Sequence, residues 1–249
     1  MSKPYSVFAN YYDYLMSNVD YNAWTERIVQ QIKRYHPKAR ILVDLACGTG
    51  NISNRLAKKG YSVTGIDISE EMLMIAQDKA HEQHLRIQYL KQDMMKFATH
   101  RKAEVITSIC DGLNYLTEDQ QLKDFFANAG KQLVDQGILI LDLSTPYKYQ
   151  HVLAERTIAE LDEQVSFIWD NSFDPETQQL TFDIAFFVPE GDEGLYRRLL
   201  EHHVQKSHSL EAIEKAIENV FSMVLVVDGE TGEAVSETSE RWLMVLKKV

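Results

Sequence analysis

Two glycines one residue apart, Gly48 and Gly50 in VDLACGTGNIS, follow the apolar run Ile41, Leu42 and Val43. Glycine tolerates left-handed backbone and lets the main chain approach a ligand closely, so this turn can present N–H groups to a bound molecule. Asp67, in VTGIDIS, ends the next apolar run, where a carboxylate can grip the hydroxyls of a ribose. A dinucleotide-binding turn would carry a third glycine, as in G-x-G-x-x-G, to seat a pyrophosphate, and Ser53 stands in that place. Asp44, beside the turn, would repel a pyrophosphate and attract an ammonium group. The chemistry indicated is recognition of a ribose joined to a cation, without a diphosphate, which disfavours a nicotinamide-dependent oxidoreductase.

A second set of reactive side chains lies in YRRLLEHHVQ. At the two-residue period of a strand, Arg197, Glu201, His203 and Gln205 share one face, and Arg198 and His202 share the other. A histidine there is a candidate general base, and the polar face could roof a cavity or simply meet solvent. Asn114 and Tyr115 follow the fourth apolar run, where ligands sit at the carboxyl ends of parallel strands. Tyr147 and Tyr149 hold the corresponding place after the fifth.

The elements that must position these residues are legible as an alternation. Apolar runs at 40–45, 61–66, 87–90, 103–109 and 138–143 are separated by amphipathic segments, the pattern of a parallel sheet covered by helices on both faces. Ile52 and Leu56 recur at helical spacing directly after the glycine turn. Ser69 followed by Glu70 and Glu71 reads as a capped helix start, and Thr117 with Gln120 reads as a capping box for a helix burying Leu122, Phe125, Phe126 and Leu133. Gly137 closes the connection into the fifth strand. An N-terminal helix carries Trp24, Ile28, Ile32 and Tyr35 on one stripe. Residues 164–206 read as a three-stranded antiparallel meander broken at DPET and EGDEG, Ser209 caps a helix through Asn219, and FSMVLVVDG and RWLMVLKK form a terminal hairpin that can return to the main sheet.

Composition narrows the function classes. The chain has 249 residues, 45% hydrophobic and 25% charged, and no apolar run of the roughly 20 residues that span a bilayer. The N-terminal MSKPYSVFANYYDYLM lacks the apolar stretch of a signal peptide, and two cysteines, Cys47 and Cys110, build neither a disulfide framework nor a zinc site. A cytoplasmic protein without membrane attachment is expected. A net charge of −11 argues against nucleic acid as a partner.

Taken together, VDLACGTGN, GIDIS, QDM at 92–94 and ITSICDGLNYL at 106–116 resemble the class I S-adenosylmethionine-dependent methyltransferases. The likeness extends to the small-molecule N-methyltransferase-like branch and to a set of uncharacterised bacterial cytoplasmic proteins with a similar YxxFAxxYDxLM start. It implies an α/β fold: a Rossmann-like, doubly wound, seven-stranded and mostly parallel sheet with a C-terminal antiparallel hairpin, plus an inserted antiparallel β meander. The implied division is a methyltransferase domain at 1–146 and 207–249 with an N-terminal helical cap, and a lid at 147–206. The implied cofactor is S-adenosyl-L-methionine. Its methionine part would lie along Asp44, Gly48, Gly50, Cys110 and Asp111, its ribose on Asp67, and its adenine beside Asp93 and Met94, with Ala46 and Ile68 also among the cofactor-binding residues. Tyr12, Tyr21 and Trp24 would close over it. Some relatives clamp the methionine carboxylate with an arginine a few residues before Tyr21, where Ser17 and Asn18 stand here. The implied partner is a small-molecule methyl acceptor, an amine or other heteroatom, and a homodimer is compatible. Alternatives are methylation of tRNA or of a ribosomal or other basic protein, and a cofactor-binding module without turnover.

Overall fold

The computed structural model of the chain describes residues 9–191 and 194–249; Tyr5 and Phe8 of the N-terminal segment, and Asp192 and Glu193 of the EGDEG turn, lie outside the described residues. Ile41–Leu45 (β1) is apolar except for Asp44 and almost wholly buried, as a central parallel strand must be. It pairs in parallel with Ser62–Asp67 (β2) on one side and Ala103–Ser108 (β4) on the other. β2 continues to Gln88–Lys91 (β3), and β4 to Leu133–Ser144 (β5). The terminal hairpin, Phe221–Asp228 (β10) and Arg241–Lys248 (β11), completes seven strands in the order β10-β11-β5-β4-β1-β2-β3, with β11 antiparallel to β5. Because the chain leaves β1 in opposite directions toward β2 and β4, a crevice opens beyond their carboxyl ends.

Helices cover both faces of this sheet and make two cores. Tyr21–Tyr35 (α2) and Asn51–Lys58 (α3) bury Trp24, Ile28, Ile32, Ile52 and Leu56 against one face. Asp119–Gln132 (α5) and Leu210–Ile217 (α6) bury Leu122, Phe125, Phe126 and Ile213 against the other. Caps set the ends: Asp20 accepts from the Ala23 N–H at 2.9 Å, and Ser69 from Met72 at 3.2 Å to open Glu70–Glu82 (α4). The capping box of α5 is one residue later than expected, on Glu118 and Gln121, where the Glu118 N–H donates to Gln121 Oε1 at 3.0 Å. Gly137 lies within β5 rather than before it. The strand begins at Leu133, Gln136 has a positive φ of 62°, and the pairing with β4 slips between Ala103 and Val105, so the glycine marks a bulge. The helix after Ser209 ends at Ile217, not Asn219.

The inserted sheet has four strands, not three. Thr157–Glu160 (β6), Ser166–Asp174 (β7), Gln179–Glu190 (β8) and Leu195–Lys206 (β9) pair antiparallel in that order. TIAE is too short to show a period, and it becomes a strand only by pairing with β7. The inward face of this sheet, Leu180, Phe182, Ile184, Phe186 and Val188, forms a third core with Ala9 of Ala9–Leu15 (α1), Met72 and Tyr149. No helix among the described residues is long and apolar enough to cross a membrane.

Candidate active site

The glycine turn after β1 is built by backbone that few residues tolerate. Ala46, Gly48 and Gly50 have φ of 51°, 52° and 76°, all left-handed. A Cβ added at Gly50 would lie 2.4 Å from the Tyr89 hydroxyl oxygen, whereas one at Gly48 would meet nothing within 4 Å. Gly50 is therefore glycine because the interior is full, and Gly48 faces the open side where a ligand can approach. Its N–H donates to Asp67 Oδ2 at 2.8 Å, and Ser69 donates to Oδ1 at 2.9 Å, so the carboxylate at the tip of β2 is aimed before any ligand binds. Burial raises the Asp67 pKa, an effect these backbone donors partly reverse. Beside it Ile68 is 68% exposed, an apolar surface left open at a strand tip. Asp93 accepts from the Met95 N–H at 2.8 Å, which orients the loop after β3.

Ser53, at the third-glycine position, has a role of its own. Its hydroxyl donates to Asp44 Oδ2 at 2.5 Å while Thr107 donates to Oδ1 at 2.7 Å. Burial pushes the Asp44 pKa up to about 6, and the two hydroxyls limit the rise. Asp44 thus places a negative charge beneath the turn and locks it to β4.

The tip of β4 repeats the strain. Cys110 and Asp111 both have φ of 63°, and a Cβ at Gly112 would fall 2.7 Å from Ser108 Oγ and 2.9 Å from Ala46 Cβ. The two corners therefore touch. The strained corner is held by Arg241 of β11, whose guanidinium binds both Asp111 and Asp142, the latter also through Nε at 3.0 Å. Burial alone would raise Asp111, but the guanidinium holds it below the usual carboxylate range. Buried Asp142 stays raised, and accepts from the Cys110 N–H at 2.9 Å. Trp24 packs 5.8 Å beneath the same guanidinium and within 3.2 Å of a Cβ placed on Gly229, so its ring is used between α2 and the hairpin. It supports the site from behind.

The roof comes from the inserted sheet. Glu201, His203 and Gln205 are buried, whereas Arg197 on the same face is exposed and His202 on the other binds Asp183 at 2.7 Å. Nδ1 of His203 lies 3.1 Å from the Tyr115 hydroxyl, and its Nε2 3.2 Å from Glu201 Oε2. Tyr149 donates to Gln205 at 2.6 Å, while Tyr147 stacks obliquely on His151. Asn114, fully buried, spends its amide within the protein: Nδ2 donates to the carbonyls of Ser144 and Lys206, and Oδ1 accepts from the Ser144 N–H. It is a strut between the two sheets.

From below, α1 brings Tyr12 beside Tyr21, Cys110 and Tyr115, and burial of its hydroxyl raises that phenol well above its ordinary value. Burial raises Tyr21 similarly. Asp13, not anticipated from the sequence, ties α1 to the turn. It accepts from Thr49 at 2.6 Å, Asn51 at 2.7 Å and Lys79 of α4 at 2.6 Å. Its only local signal was an acid next to Tyr12. Arg241 carried none, since its partners are 99 and 130 residues away.

Comparison with known proteins agrees with this geometry. The methyltransferase-domain family matches residues 42–137, which hold the glycine turn, Asp67, Asp93 and the β4 corner. A candidate methyltransferase of Bacillus subtilis is 37% identical over 246 residues, 98% of this chain and 97% of its own. The crystal structure of an S-adenosylmethionine-dependent methyltransferase from Clostridium acetobutylicum superposes with a TM-score of 0.88 at 30% identity, covering 98% of both chains. The chain belongs to the class I methyltransferases. It is an S-adenosylmethionine-dependent enzyme. A Streptomyces venezuelae protein named as a dTDP-3-amino-3,4,6-trideoxy-alpha-D-glucopyranose N,N-dimethyltransferase is 28% identical over 136 residues, 54% of this chain and 56% of its own.

The residues present fit the methyltransferase cofactor. A pre-aimed carboxylate at the β2 tip, an open apolar Ile68 beside it and a left-handed turn open at Gly48 suit a ribose, a base and a small zwitterionic chain. The buried Asp44 leaves negative potential beneath the turn, which favours a cation over a diphosphate.

Proposed function

We propose that this methyltransferase transfers the methyl group to a small acceptor, an amine or other heteroatom, enclosed between the β4 tip and the inserted sheet. The observation that carries the reading is the buried polar row Glu201, His203 and Gln205, turned toward Tyr115 and Tyr149 and away from solvent. A polar row shielded from solvent suits a compact substrate, and the amino-sugar acceptor in the name of the Streptomyces relative is of that kind. When bound, the cofactor supplies a sulfonium methyl already activated for in-line displacement. What the protein adds is positioning and exclusion of water.

In this reading Asp67 binds the ribose hydroxyls, Asp93 the adenine amino group, and Ile68 and Met94 the ring faces. The backbone at Ala46, Gly48 and Gly50, with the Cys110–Asp111 corner, holds the methionine part, while Tyr12 and Tyr21 cover it. Residues 147–206 act as the lid, and 1–146 with 207–249 as the transferase body. Incubation with isotopically labelled S-adenosylmethionine and a set of small amines, amino sugars and phenols tests the proposal. We expect label in one compound class and none in tRNA or ribosomal protein; label confined to the macromolecules would overturn it.

A further inference from the structure

We propose that Tyr115, His203 and Glu201 form a proton relay that deprotonates the acceptor, so that the acceptor is one that arrives carrying its proton, as an ammonium or a hydroxyl. This rests on the small-acceptor reading above and assigns its chemistry. The three groups are consecutive neighbours: Tyr115 Oη lies 3.1 Å from His203 Nδ1, and His203 Nε2 lies 3.2 Å from Glu201 Oε2, an ion-pair contact rather than an aligned hydrogen bond. With Nδ1 assigned as acceptor from the phenol, the neutral imidazole carries its proton on Nε2, on the side of Glu201. The side chains of His203 and Glu201 are 3% and 1% exposed, whereas Tyr115 is half-buried on the turn beyond β4. The phenol is thus the relay's outlet toward the strand tips.

The step balances. The acceptor's N–H or O–H bond breaks, and its electron pair stays on the acceptor atom, ready for transfer. The proton passes to Tyr115 Oη as the phenol's own proton passes to His203 Nδ1, and Glu201 faces the resulting imidazolium. Of the other titratable groups packed here, Tyr12 from α1 and Tyr149 from the segment after β5 are phenols raised by burial, and both stay protonated. Asp111, next nearest through Tyr149, is held by Arg241.

Packing alone does not require this pair. Two residues along the same strand, Gln205 meets Tyr149 with neutral groups at 2.6 Å. A carboxylate beside an imidazole in the same buried row carries a desolvation cost that a neutral pair avoids.

The test uses Tyr115→Phe, His203→Gln and Glu201→Gln in the full chain, each first shown by calorimetry to bind S-adenosylhomocysteine as the wild type does. The imidazole proton resonance, assigned by its loss in His203→Gln, is compared between wild type and the other two variants at one pH in the S-adenosylhomocysteine complex. We expect its chemical shift to move in both Glu201→Gln and Tyr115→Phe. With alkylamine acceptors, kcat should fall about 100-fold in Tyr115→Phe and His203→Gln, with KM little changed. That loss should shrink once the pH exceeds the amine's own pKa. A resonance that ignores Glu201→Gln, or pH–rate profiles identical to wild type, overturns the relay. If no small acceptor is methylated, the small-acceptor reading fails by itself, and the resonance still decides the relay.

Discussion

Asp67 accepts from two backbone N–H groups, of Gly48 and Ser69, and this prior engagement fixes its carboxylate for the diol that the proposed reading gives it. Asp67→Asn keeps the shape but replaces a charged acceptor with an amide. Charged hydrogen bonds contribute about 1.5–3 kcal/mol, so S-adenosylhomocysteine affinity measured by calorimetry should fall about 10- to 100-fold. His208 gives a second residue-scale expectation. Burial pushes its pKa down to about 4, from 6.5 in the unfolded chain, with the carbonyls of Leu116 and Leu113 opposing. The folded state therefore refuses a proton that the unfolded state takes up. Stability is full above pH 6.5 and falls as pH drops toward 4, by at most about 3 kcal/mol. Asp44 acts in the opposite sense, since its raised pKa of about 6 makes the fold gain stability as pH falls from 6 toward 3.8. Urea melts at pH 7.5 and 4.5 separate them, because His208→Gln should be closer to wild type, or above it, at the lower pH. At this scale Gly48, Gly50 and Asp67 were legible because their spacing to the strands is local. The Ser53–Asp44 bond and the Arg241 clamp were not, since both depend on which strands become neighbours.

Elements were legible where period and caps agreed, and the shortfalls have physical causes. Four of the five parallel strands lie where continuous apolar runs place them, within a residue at their ends, and β5 starts five residues earlier, at Leu133, where the bulge interrupts its pattern. β6 was missed because four residues with a single partner gain their hydrogen bonds only after β7 is in place. The helix α1 was also hard to see: it spans seven residues with only Ala9 fully buried, and its aromatic residues and Leu15 pack only partly on the third core. Asp13 adds polar ties through Thr49, Asn51 and Lys79, which couple α1 to the glycine turn and to α4. Burial opposes ionisation of Asp13, but Lys79 and the donors from Thr49 and Asn51 hold its pKa down. Since its side chain is 40% exposed, the ion pair contributes modestly, on the order of 1 kcal/mol. We therefore expect Asp13→Ala to leave the melting temperature nearly unchanged while α1 loses amide exchange protection. Bound S-adenosylhomocysteine should also dissociate several-fold faster, read by stopped flow. An unchanged dissociation rate would separate α1 from cofactor retention.

At the scale of the whole molecule, three cores meet at the strand tips, and the contacts between them fix where the roof stands over the turn. Two cores sandwich the parallel sheet, and the third belongs to the inserted sheet with α1 and Tyr149. The sequence showed that a meander exists but not where it docks, because docking depends on Asn114, whose amide joins the end of β5 to the end of β9. Its three hydrogen bonds run to Ser144 N, Ser144 O and Lys206 O at 3.0–3.1 Å, all from a residue with no exposed surface. Asn114→Ala would leave those backbone groups without the amide in a dry interior. Each unsatisfied buried group costs about 1–3 kcal/mol, less where water can enter, so a loss of about 2–4 kcal/mol in urea melts is expected. The more diagnostic outcome is spatial. If the strut sets the roof, amide exchange should quicken in β8 and β9 while β1 and β2 keep their protection, and S-adenosylhomocysteine should bind as before while methyl transfer slows. Uniform loss of protection across both sheets would instead show that the cores unfold as one unit, and that the roof has no independent hold on the site.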